Sequence, residues 1–332
     1  MKIQARLPLI ALLIVAATVP TFGYLKLGTR LGTRTASLKW EDLPIRYSVT
    51  ARGAPGVSAQ QFQTAITRAF GTWDAVETAE TSSEFAGFTQ ANPTSGDSMT
   101  VLGFVNRPDL DRVLGATNFI FDITTGEIVE SDIFFNTRFP WSVAESGEIG
   151  RQDLESIALH EIGHLLGLGH SALGETELIV GGRRVLGAEA VMFPVAFAAG
   201  TIKDRSLKAD DIAGISDLYP TTASRRSLGS ITGRVTKSGS GVLGAHVVAF
   251  NPTTGRLVGG FTLNDDGSFT IAGLEPGPHV LRVEPLDDGD IDSFLDATLD
   301  VDVDFRVTFH DSVVIVPQGG GTRGVEIEVT PK

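Results

Sequence analysis

The eleven residues His160-Glu161-Ile162-Gly163-His164-Leu165-Leu166-Gly167-Leu168-Gly169-His170 constrain this chain more than any other stretch. They end a helical pattern made by Leu154, Ile157, Ile162 and Leu165. His160 and His164 are four apart, so they share a helix face and both imidazoles reach one zinc ion at about 2.0–2.1 Å. A tetrahedral site needs its third ligand from another direction, so the helix has to stop. Gly167 tolerates the positive φ that ends helices, and His170, three residues on, returns to complete the set. The fourth position is left to water. Three neutral imidazoles leave the ion its full charge, which lowers the pKa of a bound water to about 7, while Glu161 can take the proton and pass it to a leaving amine. This is the equipment for peptide-bond hydrolysis.

The chain contains no cysteine, so thiolate sites, disulfides and cysteine nucleophiles are excluded and a metal must be held by His, Asp or Glu. A formal charge of -13 has the wrong sign for holding phosphates, which excludes nucleic acid as a partner class. With 42% hydrophobic and 20% charged residues over 332 positions, the chain is globular and long enough for two domains.

Residues 1–23 read as an export signal, with Lys2 and Arg6 ahead of the apolar run Leu7 to Val19, then Pro20 and a small Gly23 for cleavage. That run is short of the roughly 20 residues a spanning helix needs, so no stable span is expected after cleavage and the protein is secreted; an uncleaved anchor reaching Leu27 is the alternative. Residues 24–39, with Lys26, Arg30, Arg34 and Lys39, read as a basic linker. From Trp40 strand and helix signals alternate. A strand is expected at 43–50, a helix entered at Ser58 with Gln61 three residues on, and then Phe62, Ile66, Phe70 and Trp73 at helical spacing. Strands follow at 98–104, 115–122 and 128–135, the last two joined by a turn at Thr124-Thr125-Gly126. After Tyr219-Pro220 a linker at 221–228 leads into 229–332. There short runs near 230–236, 245–250, 257–263, 268–272, 279–284, 297–303, 306–316 and 324–330 have the spacing of an antiparallel β-sandwich.

The motif His-Glu-x-x-His-x-x-Gly-x-x-His resembles that of the metzincin metallopeptidases, matched here without a gap. Met192, in Val191-Met192-Phe193-Pro194, stands where that family has its methionine turn. Ser171 after the third histidine, the aromatic and Pro194 after Met192, and LKADDIAGISDLYP resemble the matrixin branch over residues 40–220. The resemblance implies an α+β catalytic domain, a twisted mixed sheet with helices and the zinc site on the active-site helix. It also implies one catalytic Zn2+, protein or peptide substrates and a substrate strand along the sheet edge near Leu114 to Phe119. Asp210 and Asp211 match the acidic pair that braces the methionine turn and can receive the mature amino terminus.

Departures from the family are informative. GATNFIFD and DIFFN lack the histidines of a second, structural zinc, and without cysteine there is no cysteine switch. Asp122, Glu127, Glu130 and Asp132 occupy the region where matrixins bind Ca2+, at a spacing that defines no calcium loop. The stretch 171–190 is long and holds a hairpin pattern about Gly181-Gly182, whose Arg183 and Arg184 are expected to be solvated. The tail, GSITGRVTKSGSGVLGAHVVAFNPTTG and DDGSFTIAGLEPGPHVLRVE, resembles the carboxypeptidase regulatory-like β-sandwich. Such a module positions an enzyme or binds a protein or surface partner. The leading expectation is an exported zinc endopeptidase. The alternative is a catalytically weak surface binding or adhesion protein of the same fold, disfavoured by the intact Glu161. A fragment ending near Thr222 is expected to fold alone and bind zinc.

Overall fold

The computed structural model describes residues 10–13, 26–31, 34–180, 182–295 and 298–332. Most of the expected export signal, 1–23, lies outside the described residues. The four inside it, Ile10–Leu13, pair antiparallel with the outer edge of a sheet strand, Leu13 opposite Phe119 and Ile10 opposite Asp122. Among the described residues no helix is long and apolar enough to cross a membrane.

The first domain is built on a six-stranded mixed sheet in the order 10–13, 115–122, 128–136, 100–105, 45–50 and 83–89. Strand Ile128–Asn136 runs antiparallel to Gly115–Asp122 and parallel to Thr100–Val105. Helix α1, Ala59–Asp74, starts where Ser58 and Gln61 bond reciprocally: the Ser58 hydroxyl accepts from the Gln61 N–H at 3.2 Å and Gln61 Oε1 accepts from the Ser58 N–H at 2.9 Å. Its apolar stripe Phe62, Ile66, Phe70 and Trp73 is buried. Helix α2, Leu154–Leu165, packs on it, and the Trp73 indole N–H donates across to the Leu159 carbonyl at 2.9 Å. Strand Ser83–Thr89 was not legible in the sequence: it is an edge whose inner face is only partly buried, contains Gly87, and carries residue types that do not alternate apolar with polar.

The described residues 26–31 and 34–39 of the expected 24–39 linker are not free. Gly28–Leu31 pairs with Arg34–Ser37, the Leu27 N–H donates to the Gly167 carbonyl at 2.8 Å, and Leu38 is buried against Phe119, Phe121 and Ile128. Lys26 forms an ion pair with Asp217. Two leucines eleven residues apart anchor this segment, too few to make a periodic signal.

The second domain stacks two sheets. One contains Gly229–Lys237, Ser240–Gly241, Ser268–Leu274 and Gly321–Val329; the other contains His246–Phe250, Leu257–Phe261, Gly277–Glu284, Thr308–Phe309 and Val314–Val316. Ile231, Val235, Val247, Phe269, Ile271, Leu281, Val283 and Phe305 fill the space between. Two expectations need correcting. Gly321–Val329 runs parallel to Gly229–Lys237, so the sandwich is not wholly antiparallel. No strand forms near 297–303 among the described residues; instead the acidic stretch before it makes a 3-10 turn at Ile291–Ser293, where Asp290 and Asp292 discourage pairing.

The boundary is tighter than a linker. Helix α3, Ala209–Leu218, is followed by a single turn, α4, Ser224–Ser227, in which Ser224 is buried and bonded to Thr221. Ala213 of α3 belongs to the sandwich core. Ala172 and Phe193 of the first domain are buried with Phe261, Leu263, Leu286, Phe294 and Leu295 of the second, and Leu173 and Ala190 with Val248. The two cores therefore share an apolar interface.

Candidate metal centre

Helix α2 carries the site. Asp153 caps it, its Oδ2 accepting from the Ser156 N–H at 2.9 Å while Arg205 pairs with the same carboxylate. The helix ends as the motif requires: Gly167 has φ +100°, and a Cβ there would stand 2.1 Å from the Leu38 carbonyl oxygen. Gly163, between the two helical histidines, is small for a different reason. A Cβ at that position would meet Met192 Sδ at 2.3 Å and the Trp73 ring at 3.0 Å. The methionine turn thus lies directly against the helix under His160 and His164.

His160, His164 and His170 come together, each offering a ring nitrogen within 4.8 Å of the others. Each Nδ1 faces a backbone carbonyl: His160 that of Val191 at 2.7 Å, His164 that of Leu168 at 2.8 Å, and His170 that of Ser293 at 2.5 Å. A carbonyl only accepts, so each Nδ1 carries its ring's proton and each Nε2 presents a lone pair. The lone pairs of His164 and His170 converge at 3.1 Å. Two acceptors that close repel unless a proton or a cation stands between them, and ligands of a tetrahedral zinc lie roughly 3.4 Å apart. The donor set fits zinc. Burial lowers the pKa of all three rings, His164 well below the ordinary value with added repulsion from the other two, and His170 to about 3. They are neutral, as ligands must be.

Glu161 is buried, and burial pushes its pKa up to about 7. The Thr117 hydroxyl lies 2.8 Å from Glu161 Oε2 and 2.9 Å from the Glu161 carbonyl oxygen. Thr117 was missed in the sequence, where it is one residue of a strand; only the inward alternation of Gly115–Asp122 would have pointed to it. Gly115 on that strand leaves the approach to the carboxylate open, since a Cβ there would sit 3.3 Å from Oε1.

Asp211 Oδ2 accepts from the Val191 N–H at 2.9 Å and the Lys208 N–H at 2.8 Å, and Oδ1 from the Met192 N–H at 3.1 Å, so it does hold the methionine turn. Its neighbour Asp210 does something else, accepting from the Gly259 N–H of the second domain at 2.7 Å. Burial raises both, Asp210 to about 7 and Asp211 to about 6.

Of the calcium candidates, Glu130 and Asp132 lie near each other, and their carboxylates are bonded to main-chain N–H groups. Asp122 accepts from Thr124, Glu130 from the Ser98 N–H and Asp132 from the Val101 N–H, and among the described residues the histidine triad is the one group with metal-binding spacing. The expected hairpin forms, Gly174–Ile179 with Gly182–Ala188, but Arg183 is not merely solvated. It pairs with Asp290 and donates to the carbonyls of Asp287 and Gly289. Arg184 pairs with Glu177 on the exposed face.

A family model described as Matrixin matches residues 39–220, and one described as Carboxypeptidase regulatory-like domain matches 230–308. Metalloendoproteinase 5-MMP of Arabidopsis thaliana is 37% identical over 109 residues, 30% of this chain and 26% of that protein. Metalloendoproteinase 1-MMP of the same plant is 30% identical over 190 residues, 54% of this chain and 44% of that protein. Stromelysin-1 of Mus musculus is 27% identical over 192 residues, 57% of this chain and 34% of that protein. The chain therefore spans less than half the length of these relatives.

Proposed function

We propose, for a chain that belongs to the matrixin family over residues 39–220, that it is an exported zinc endopeptidase with Glu161 as its general base. The observation that carries the reading is the convergence of three Nε2 lone pairs, each ring anchored through Nδ1, beside a buried carboxylate. His160, His164 and His170 would hold Zn2+, which when bound supplies Lewis acidity toward a water and a peptide carbonyl. Glu161 takes a proton from the attacking water and delivers it to the amide nitrogen. The C–N bond breaks, leaving a carboxylate and an amine. Thr117 steadies the Glu161 oxygen nearest it, so the other remains available for the proton. Peptide backbone would add as a strand along the sheet edge near Leu114 to Phe119, next to Glu161, an edge that removal of residues 1–23 frees from Ile10–Leu13. Export rests on the charged and apolar pattern of residues 1–23.

The test is metal content alongside cleavage. Purified protein should hold one zinc per chain and cut an unfolded protein such as casein, with cutting abolished by a chelator. His170→Ala should lose zinc as clearly as His160→Ala, because no thiolate stands in reserve. Full zinc retention by His170→Ala would remove it from the ligand set.

A further inference from the structure

Two of the three rings are oriented from within the first domain, His160 by Val191 and His164 by Leu168. The third is not. His170 Nδ1 faces Ser293, which belongs to the β-sandwich and lies 123 residues away along the chain. We propose that the β-sandwich is a structural part of the metal centre, its 287–295 loop positioning the third ligand through the Ser293 carbonyl. This rests on the reading of the triad as the zinc site.

The loop is held from both sides. Behind Ser293, Phe294 and Leu295 are each 1% exposed and pack with Ala172 and Phe193, the residue after the methionine of the turn. Phe294 also stands 6.2 Å from the Phe261 ring within the sandwich. In front, the first domain's hairpin grips the loop. The Thr176 N–H donates to Asp288 Oδ1 at 3.0 Å, the Thr176 hydroxyl to the Asp288 carbonyl at 2.6 Å, and Arg183 to Asp287, Gly289 and Asp290. Away from the loop, the Asp210–Gly259 bond ties α3 to the sandwich. A carbonyl so fixed accepts from a ring N–H and thereby sets both its tautomer and its direction. Partners of this kind typically affect metal affinity 10–100-fold. The long stretch at 171–190 has a role on this view: it is the clamp that keeps the sandwich loop on His170, and the acidic run 287–292 is its counterpart.

Ser293 acts through its backbone, so the test removes what holds it. In the full chain, Phe294→Ala should weaken zinc binding about 10–100-fold in chelator competition. It should also abolish one of three slowly exchanging imidazole Nδ1–H proton signals of the zinc form, the one missing from His170→Ala. Val325→Ala, which opens a cavity in the sandwich core away from the loop, should lower the melting temperature while leaving affinity and all three signals unchanged. If Phe294→Ala does not fold, the surface double variant Arg183→Ala with Asp288→Ala decides, with a smaller loss of affinity and a broadened His170 signal expected. Wild-type affinity with three intact signals in either loop variant would overturn the proposal, as would an equal loss of affinity in Val325→Ala. A wild-type chain that takes up no zinc would instead overturn the zinc reading itself, and this inference with it.

Discussion

In the proposed mechanism, Thr117 and Glu161 form the contact on which proton transfer depends. The hydroxyl favours the charged carboxylate, opposing the burial that raises its pKa. Thr117→Val keeps the shape and removes the donor. We expect zinc content to stay at the wild-type level, kcat to fall about tenfold, the loss of roughly one hydrogen bond, and the acid limb of the pH–rate profile to move to higher pH. An acid limb that stays in place would mean that the hydroxyl does not act on the base. The residues best legible in the sequence were those whose spacing is itself the chemistry: His160, Glu161, His164, Gly167 and His170. Thr117 and Ser293 were not, because one acts from the inward face of a distant strand and the other through a main-chain oxygen, and neither leaves a pattern of residue types.

Among the elements, the helices and inner strands followed from local rules, since capping at Ser58 and the Phe62–Trp73 stripe specify α1 without reference to the rest of the molecule. The edge Ser83–Thr89 and the parallel return of Gly321–Val329 depend on which neighbour is available, which no local signal encodes. In the first sheet, Asp132 of strand Ile128–Asn136 is buried against Thr100–Val105, with one oxygen accepting from the Val101 N–H and the other without a partner. Burial raises its pKa to about 7. A folded-state pKa above the ordinary carboxylate value means that the folded chain holds the proton more tightly. The associated stability is complete in acid, below the unfolded pKa near 4, and is lost as pH rises through about 7. The melting temperature should therefore fall between pH 5 and pH 8, and Asp132→Asn, which cannot ionise, should remove part of that fall. An unchanged slope would place the ionisation elsewhere.

For the molecule as a whole, the composition and linker signals divide the chain at 221–228 but give no sign that the cores on either side are joined. The joint is made by Phe193, Ala172, Leu173 and Ala190 against Phe294, Leu295, Phe261 and Val248, apolar residues that look like ordinary core in either domain. A fragment ending at Thr222 keeps the whole His160–His170 motif, yet it exposes this face and lacks the Ser293 carbonyl. It should unfold at lower temperature than the full chain, bind zinc more weakly and aggregate, contrary to what the linker pattern implies. A soluble fragment with full zinc affinity would show the two domains to be independent. The central claim, that three histidines and one glutamate hydrolyse peptide bonds here, is tested most directly by casein cleavage with wild-type protein and Glu161→Ala at measured, equal zinc content. The account predicts that the variant retains its zinc and loses cleavage by a factor of about 10² to 10⁴; equal cleavage by the two proteins would contradict it.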